Sequence, residues 1–322
     1  MSENLKIDLK FGEFPQEDKR NKPENYVLTP ELQRAVRVAV ALRQPLLITG
    51  EPGTGKTQLA YKVAQDLSAQ NDKFLSEPLL FSTKSGAGAR DLFYTYDAVR
   101  HFHDANIKTG EALKPTSHYI ALQALGKAIA LTRADESDAQ AYLPEKLHGK
   151  PQGSVVLLDE IDKAPRDFPN DILLEIENYR FQIQETDTVI EKNPEYPIIV
   201  ILTSNSEKNL PDAFLRRCVF YHIPFPDQKQ LLEIVKARLG ENSAYAKEEF
   251  ISYFLDLRKR MTKKKPATSE LIAWLRMLEI EGFITEGDTP DFDHLTDEQK
   301  DILRISYGIL VKTKDDFKNL ET

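Results

Sequence analysis

The stretch "GEPGTGKT" (residues 50–57) holds glycines, a lysine and a threonine at a spacing that suits phosphate chemistry. Gly53 and Gly55 leave room for the backbone to wrap around phosphate oxygens with its amide N–H groups pointing inward. Lys56 supplies a mobile positive charge, and the Thr57 hydroxyl is a suitable ligand for Mg²⁺. The loop lies between a short apolar run and a helical pattern, which is the setting that this motif requires. The predicted nucleotide-binding residues here are Gly50, Glu51, Pro52, Gly53, Thr54, Gly55, Lys56, Thr57 and Gln58.

Two carboxylates follow a fully apolar run in "VVLLDEIDKA" (residues 155–164). Charged groups directly after a buried strand are unfavourable unless they have a cation or hydrogen-bond partners. Asp159 is therefore predicted to be a second Mg²⁺ ligand. Successive residues of a strand point in opposite directions, so Glu160 is aimed elsewhere, which suits a base that polarises an attacking water. The alternative is that both residues begin a solvated loop, but the phosphate loop in the same chain favours the catalytic interpretation.

A third apolar run, "IIVILTSN" (residues 198–205), ends in Ser204 and Asn205. A neutral side-chain amide at this place can orient a water molecule against a terminal phosphate without adding charge. An asparagine after a strand is by itself more often a turn residue. The catalytic prediction for Asn205 therefore depends on the two sites above.

Short apolar runs that alternate with helical patterns predict an α/β fold, in which helices cover both faces of a doubly wound, five-stranded parallel sheet. The first helix is predicted to begin at Pro30, with Thr29 as its cap. After the prolines of "IPFPD" (residues 223–227) only amphipathic helical patterns follow, which predicts a small all-helical C-terminal lid domain. The predicted strands lie at 46–49, 79–82, 155–159, 198–203 and 219–225. The predicted domains are a flexible N-terminal arm (1–25), an α/β nucleotide-binding core (26–226) and a helical lid (227–322).

The composition is that of an ordinary globular protein, with 322 residues, 41% of them hydrophobic and 29% charged. No apolar stretch approaches the roughly 20 residues that a membrane helix needs, and the N-terminus does not resemble a signal peptide. The single cysteine, Cys218, excludes a disulfide within the chain. The net charge of −8 argues against nucleic acid or an anionic membrane as a partner. A cytoplasmic location is the default expectation.

With these three strand ends, the chain resembles the AAA+ ATPases, a class of P-loop NTPases, and more narrowly their MoxR group. The resemblance extends from about residue 25 to 315 and rests on four motifs. They are "GEPGTGKT" as Walker A, "VVLLDEIDKAPRDFPNDILLEIENYRF" as Walker B with its following helix, "LTSN" as sensor 1, and "LPDAFLRRC" at 210–218. The segment at 81–105 resembles the insert that this clade carries after its second strand, and 180–197 resembles its hairpin before sensor 1.

The resemblance implies Mg²⁺-dependent ATP hydrolysis by a homo-oligomeric ring, usually a hexamer, with ATP bound between subunits. It also implies a protein substrate that is remodelled or assembled, often one with a von Willebrand factor A domain. The arginine finger of the family corresponds to Arg217, with Arg216 beside it, and would act in trans on the neighbouring subunit. Tyr26 and Val27 match the place where the family packs adenine, although they could equally be a hydrophobic staple for the first helix.

The sequence departs from the family at sensor 2, where an arginine usually opens the third lid helix. Thr268 and Ser269 stand there instead. Arg276 lies two turns further along and is predicted to be poorly placed. The lid therefore either senses nucleotide differently or uses a lysine of the run at 263–265.

Two other functions remain open from the sequence. The missing sensor 2 arginine leaves room for a nucleotide-gated binding or scaffold module with negligible turnover. A nucleic-acid motor, including a GTP-using restriction-type subunit of related architecture, is the third possibility, and the acidic charge balance weighs against it. Neither the remodelled partner, nor the ring size, nor the preference for ATP over GTP follows from particular residues.

Overall fold

A central sheet of five parallel strands organises the first two thirds of the protein. The computed structural model describes residues 23–107, 114–165, 167–206, 210–285 and 288–321. The strands of this sheet are β1 (Leu46–Gly50), β2 (Leu79–Ser82), β5 (Ser154–Asp159), β8 (Ile198–Ser204) and β9 (Val219–Ile223). They lie side by side in the order β2-β5-β8-β1-β9, and every neighbouring pair is parallel. The predicted α/β fold class is confirmed; β9 is shorter than predicted and ends before Pro224, because proline cannot donate a ladder hydrogen bond.

The inner strands are buried on both faces, which explains why they read as continuous apolar runs. Alternate side chains point to opposite faces, so that each strand contributes to two apolar cores. Leu47 and Leu158 belong to the core on one face of the sheet. Ile48 and Leu157 belong to the core on the other face. The carboxyl ends of these strands are thereby held rigidly between two packed layers.

Helices surround the sheet on both faces. They are α1 (Pro30–Leu42), α2 (Lys56–Gln70), α3 (Ala98–Ile107), α4 (Ala124–Leu131), α5 (Ser137–Gln140), α6 (Phe168–Asn178) and α7 (Asp212–Leu215). The start of α1 is as predicted, since the Thr29 hydroxyl accepts a hydrogen bond from the Leu32 N–H at 3.3 Å. Helix α2 follows the phosphate loop directly and aims its N-terminus at the edge of the sheet where β1 ends.

The part of the chain from α1 to β9, called the sheet region below, also contains two short antiparallel ribbons that are separate from the central sheet. Strands β3 (Tyr94–Tyr96) and β4 (Ile120–Leu122) pair with each other, and β6 (Arg180–Ile183) pairs with β7 (Thr188–Glu191). Strand β3 lies in the segment at 81–105 that resembles the MoxR insert, whereas its partner β4 lies beyond that segment; β6 and β7 lie in the segment at 180–197 that resembles the MoxR hairpin. Arg90 donates a hydrogen bond to Glu185 at 2.7 Å, which ties the insert to the hairpin.

The C-terminal region consists of helices that enclose an apolar core of their own around Phe250 and Trp274. These helices, called the lid below, are α8 (Gln228–Leu239), α9 (Glu248–Arg260), α10 (Thr268–Ile280), α11 (Asp297–Leu310) and α12 (Lys314–Glu321). The amphipathic patterns at 228–239, 248–260, 268–280 and 297–312 predict the first four. The sequence analysis does not predict α12, whose sequence "KDDFKNLE" is short and mostly polar, with Phe317 and Leu320 as its only apolar residues.

Parts of the predicted organisation stay predictions. Residues 1–22 of the predicted arm lie outside the described residues, while Pro23–Asn25 form a 3-10 turn. The division into domains at 226–227 is a prediction that agrees with the separate apolar cores of the sheet region and the lid. Every helix among the described residues is too short or too polar to cross a lipid bilayer.

Candidate functional site

A cavity of about 740 Å³ lies where the carboxyl ends of β1, β5 and β8 face the lid. In open parallel sheets this edge is the usual place for a ligand. The predicted site residues that line the cavity are Tyr26, Val27, Pro52, Gly53, Thr54, Gly55, Lys56, Thr57, Gln58, Asp159, Glu160 and Asn205. The fold thus collects side chains from three strand ends and from the segment before α1 around one space.

Two glycines of the phosphate loop are required by both conformation and space. Gly53 and Gly55 have φ values of 77° and 86°, in the left-handed region that other residues rarely adopt. A Cβ atom on Gly53 would lie 2.5 Å from the Ser269 hydroxyl of the lid. A Cβ atom on Gly55 would lie 3.0 Å from the Tyr26 ring. The loop therefore fits tightly between the lid and the segment before α1, and a larger side chain would displace one of them.

Lys56 is a buried lysine whose ammonium group contacts neutral oxygens. Its Nζ donates to the carbonyl oxygen of Gly50 at 2.8 Å, to that of Glu51 at 3.0 Å and to Asn205 Oδ1 at 3.0 Å. Burial lowers the pKa of Lys56, and nearby carboxylates oppose that shift. These carboxylates belong to Asp159, Asp162 and Glu160. The lysine is thus held at the cavity by contacts that phosphate oxygens could replace.

Asp159 brings a carboxylate next to the hydroxyl of Thr57, and these are the two side chains that the sequence predicts as Mg²⁺ ligands. Thr57 Oγ1 donates to Asp159 Oδ2 at 3.1 Å, and Thr203 donates to Oδ1 of the same carboxylate. Such hard oxygen donors suit Mg²⁺, which usually takes one or two protein ligands and completes its shell with phosphates and water. Among the described residues no cluster of three His, Cys, Asp or Glu side chains could hold a metal. The Thr57 hydroxyl and the Asp159 carboxylate are oxygen donors of the kind that fits Mg²⁺.

Glu160 lies in a left-handed conformation with φ 57° and ψ 50°, which is uncommon for a residue other than glycine. Its backbone N–H donates to Thr203 Oγ1 at 2.9 Å, and its carboxylate accepts a hydrogen bond from Lys163. The carboxylates of Asp159 and Glu160 therefore have different hydrogen-bond partners. The structure achieves this with a left-handed turn after β5, and such strained residues are frequent at functional sites.

Asn205 faces the phosphate loop from the end of β8. Its side-chain oxygen accepts the hydrogen bond from Lys56, and its backbone N–H donates to Asp162 Oδ1 at 3.2 Å. Asn205 thus lies next to Lys56, the lysine that the sequence predicts to bind phosphate.

Thr203 is a site residue that the sequence analysis missed. Its hydroxyl bridges neighbouring groups, because it donates to Asp159 and accepts from the Glu160 N–H. Thr203 is completely buried within β8. The signal in the sequence is a hydroxyl residue directly after the apolar run "IIVIL", two residues before Asn205.

One face of α10 lines the cavity and corrects the expectation for Arg276. Thr268, Ile272 and Arg276 follow one another at intervals of four residues, so they share one helix face, and all three line the cavity. The prediction that Arg276 is poorly placed is therefore wrong. The lysines at 263–265 are exposed and do not line the cavity.

Tyr26 and Val27 contribute to the cavity from the segment before α1. The Tyr26 ring contacts the phosphate loop at Gly55 and also packs on the apolar core beneath α1. Burial raises the pKa of the Tyr26 phenol above its usual value. The position is compatible with both predicted roles, packing against a base and anchoring the first helix.

The predicted arginine finger lies away from the cavity of its own chain. Arg216 and Arg217 follow α7 and are exposed. Arg217 Nε lies 3.5 Å from Glu177 Oε1 of α6. The adjacent Cys218 is half-buried, and burial raises the pKa of its thiol to about 12, so it is not a reactive thiolate at neutral pH.

A parallel sheet, a glycine-rich loop before α2 and a carboxylate beside the loop threonine define a P-loop nucleotide-binding protein. The sequence profile of the AAA domain (dynein-related subfamily) matches residues 45–218, which is more than half of the chain. The chain belongs to this family of AAA+ ATPases. Among curated proteins, none matches it in sequence.

Several solved AAA+ structures are similar to the chain at low sequence identity. A variant of RuvB from Thermotoga maritima is 16% identical over 86% of this chain and 68% of its own, with a TM-score of 0.46. The FIGL-1 AAA domain in complex with ADP is 17% identical over 91% and 86%, with a TM-score of 0.43. NtrX from Brucella abortus in complex with ATP is 14% identical over 93% and 62%, with a TM-score of 0.47.

Proposed function

We propose that the protein is a Mg²⁺-dependent ATPase of MoxR type that works as a ring and remodels or assembles a protein partner. The observation that carries the ATPase proposal is the hydrogen-bonded group at the cavity. Lys56 joins the phosphate loop to Asn205, and Thr57 joins it to Asp159. The AAA+ domain generally serves nucleotide hydrolysis, and this group contains the parts which that reaction needs.

Each residue of the group has a distinct task in the proposed reaction. The amides of the phosphate loop and the Lys56 ammonium bind the phosphates, with Lys56 exchanging its present oxygen partners for phosphate oxygens. Thr57 and Asp159 would hold Mg²⁺, which when bound neutralises charge on the phosphate oxygens. Glu160 polarises the attacking water and accepts its proton, and Asn205 orients that water.

We further propose that Arg217, with Arg216 beside it, completes the site of a neighbouring subunit. AAA+ proteins are typically oligomeric, and both arginines are exposed on the surface of their own chain. A guanidinium at the developing phosphoryl charge accelerates hydrolysis by about 10³–10⁵-fold. Supplying it from a neighbour would make hydrolysis depend on assembly, and a hexamer is the proposed ring.

The lid contribution in this proposal comes from Arg276. It lines the cavity on the same face of α10 as Thr268, whose hydroxyl is buried without a partner among the described residues. Arg276 would contact the nucleotide from the lid of the same chain. The MoxR assignment and a partner with a von Willebrand factor A domain rest on the sequence resemblance, including the insert and the hairpin.

The Glu160→Gln variant tests the ATPase proposal, because it removes the base and keeps the size of the side chain. We expect steady-state hydrolysis to fall by about 10²–10⁴-fold while binding of a fluorescent ATP analogue is retained. The matched control is Glu195→Gln, which alters an exposed carboxylate outside the cavity and should keep full turnover. Undiminished hydrolysis by Glu160→Gln would contradict the assignment.

The Glu160→Gln variant can also identify the protein partner and test the alternative that the protein binds nucleotide without hydrolysing it. In the presence of ATP, Glu160→Gln should trap the assembled state, so a pull-down with it identifies the bound protein. If the unaltered protein binds ATP but shows no turnover with that partner, it is a nucleotide-gated binding module. Stimulation by DNA or RNA instead of by protein would indicate a nucleic-acid motor.

A further inference from the structure

Arg258 is an arginine of the lid whose side chain is almost completely buried, with 8% of the residue exposed. A buried guanidinium is strongly unfavourable unless charged and polar partners surround it. Arg258 has such partners on several sides. It donates to Glu51 Oε2 at 2.6 Å and to the carbonyl oxygen of Pro266, and its guanidinium lies 3.6 Å from the centre of the Phe225 ring.

The partners of Arg258 belong to different parts of the molecule. Glu51 is part of the phosphate loop, Phe225 follows β9 in the connection to the lid, and Pro266 closely precedes α10. A guanidinium has a rigid planar fork of donors and a flat face, so it can bond to Glu51 and Pro266 while it stacks on the Phe225 ring. The neighbouring Lys259 differs, since it is exposed and pairs with Asp256 of its own helix.

Two of these contacts connect Arg258 with the phosphate loop. The carbonyl oxygen of Glu51 accepts hydrogen bonds from Lys56 Nζ at 3.0 Å and from Thr54 Oγ1 at 2.8 Å. Pro266 leads into Ser269, whose hydroxyl lies close to Gly53. Arg258 therefore holds the beginning of the phosphate loop and the beginning of α10 at a fixed distance from each other.

We propose that Arg258 is a positioning residue that keeps the phosphate loop and the lid in the arrangement that binds nucleotide. This inference rests on the proposed nucleotide site. Arg258 itself does not line the cavity, so it acts through Glu51 and through the start of α10. The ion pair with Glu51 is the part of this contact that crosses from the lid to the sheet region.

The proposal makes a specific prediction about binding and turnover. Without Arg258, the arrangement of phosphate loop and lid that binds nucleotide is only one of several that the protein adopts. The apparent Kd then rises in inverse proportion to the population of that arrangement. We expect Arg258→Met to weaken ADP and ATP binding to a similar extent, by about tenfold or more. The kcat at saturating ATP should change much less than KM, because bound nucleotide restores the arrangement.

A double-mutant cycle on Arg258 and Glu51 tests the contact. The Kd of a fluorescent ADP analogue is measured for Arg258→Met, Glu51→Gln, the double variant and the control Lys259→Met. We expect the double variant to bind no more weakly than Arg258→Met alone, because the two changes remove one interaction. Lys259→Met should bind as the unaltered protein does, and Arg258→Lys should recover part of the affinity.

Folding is monitored with Trp274, the only tryptophan of the chain, which is buried in the lid core. If Arg258→Met does not fold, the affinity of Glu51→Gln tests the positioning role instead. The Glu51 side chain is half-exposed, so its substitution should disturb folding less. Unchanged affinity in a folded Arg258→Met variant, or additive effects in the cycle, would overturn the proposal.

The outcomes separate this inference from the proposed function. Binding of ADP requires no hydrolysis, so a loss of turnover alone does not affect the test. If the unaltered protein binds nucleotide and Arg258→Met binds it equally well, only the positioning role fails. If the unaltered protein binds no nucleotide, both proposals are contradicted.

Discussion

The sheet region and the lid each contain a carboxylate held by several hydrogen bonds, and the two are held differently. Asp159, at the end of β5, is partly exposed at the cavity and accepts from the hydroxyls of Thr57 and Thr203. Asp316, in α12, is completely buried. It accepts hydrogen bonds from the backbone N–H groups of Thr262, Lys263 and Lys264 and from the hydroxyl of Thr313.

The kind of donor distinguishes a structural carboxylate from one that is suited to function. Backbone N–H groups are fixed in place, so the role of Asp316 is structural: it joins α12 to the loop before α10. Hydroxyl groups can rotate and are themselves potential ligands, so Asp159 keeps the ability to accept a cation. Burial alone would raise the pKa of Asp316, but these hydrogen bonds outweigh it and hold the pKa well below its usual value.

Two arginines show the same contrast between the regions. Arg217 of the sheet region is exposed, and its contact with Glu177 at 3.5 Å is a surface pair of small energetic value. Arg258 of the lid is buried among its partners. An arginine that holds its own chain together is enclosed in this way, whereas Arg217 has a surface position from which it could reach a neighbour.

The largest expected effect would come from Arg217→Ala. If this arginine completes a neighbour's site, hydrolysis should fall by about 10³-fold or more while nucleotide affinity is retained. Turnover and binding of a fluorescent ATP analogue are measured in parallel. Arg260→Ala, which removes an exposed lid arginine, serves as the control and should keep its activity.

Mixed assemblies decide which chain Arg217 serves. Lys56→Ala chains should bind phosphate weakly but still carry Arg217. Mixing them with Arg217→Ala chains should therefore restore some hydrolysis at shared interfaces. Mixed assemblies without any recovery would mean that Arg217 serves its own chain. The contrast drawn between the two arginines would then be wrong.

The parts of this molecule that could be predicted from sequence are those with a local signal. The buried strands can be recognised as apolar runs, and all residues of the phosphate loop lie within one short stretch of sequence. Contacts between distant residues have no such signal. Arg258 and Glu51 are 207 residues apart, and in "DLRKR" Arg258 looks like its exposed neighbours. The position of Arg276 at the cavity has no such signal either, because the orientation of α10 over the cavity depends on the packing of the whole lid.

An intermediate effect is expected from Thr203→Val, which keeps the shape of the side chain and removes the hydroxyl that links Asp159 to Glu160. Outer hydrogen-bond partners of metal ligands typically contribute about 10–100-fold to metal affinity or activity. We expect turnover to fall within that range, with a higher Mg²⁺ concentration needed for half-maximal activity.

The control for Thr203 is Thr49→Val on the neighbouring strand β1. Thr49 is equally buried, and its hydroxyl bonds to His222 at 3.0 Å instead of to a site carboxylate. Its loss should reduce stability but leave the Mg²⁺ dependence unchanged. Equal Mg²⁺ dependence in both variants would show that the Asp159 carboxylate needs no orientation by Thr203.

The smallest effect on activity is expected from Asp316→Asn, because this carboxylate lies outside the cavity. Its amide cannot accept from all the present donors, so the lid should lose stability at neutral pH. Urea unfolding followed by Trp274 fluorescence measures this loss. Asp256→Asn, an exposed carboxylate of α9, is the control and should unfold as the unaltered protein does.

The pH dependence gives this prediction its sign. The folded-state pKa of Asp316 is lowered, so its stabilising contribution is fully present above the unfolded-state value of about 3.9 and is lost as the pH falls towards the folded-state pKa. The stability difference between the unaltered protein and Asp316→Asn should therefore be constant from neutral pH to about pH 5 and shrink below about pH 4. A difference that grows on acidification would mean that Asp316 is protonated in the folded protein. The backbone N–H groups would then not be holding a carboxylate, and the distinction between Asp316 and Asp159 would lose its physical basis.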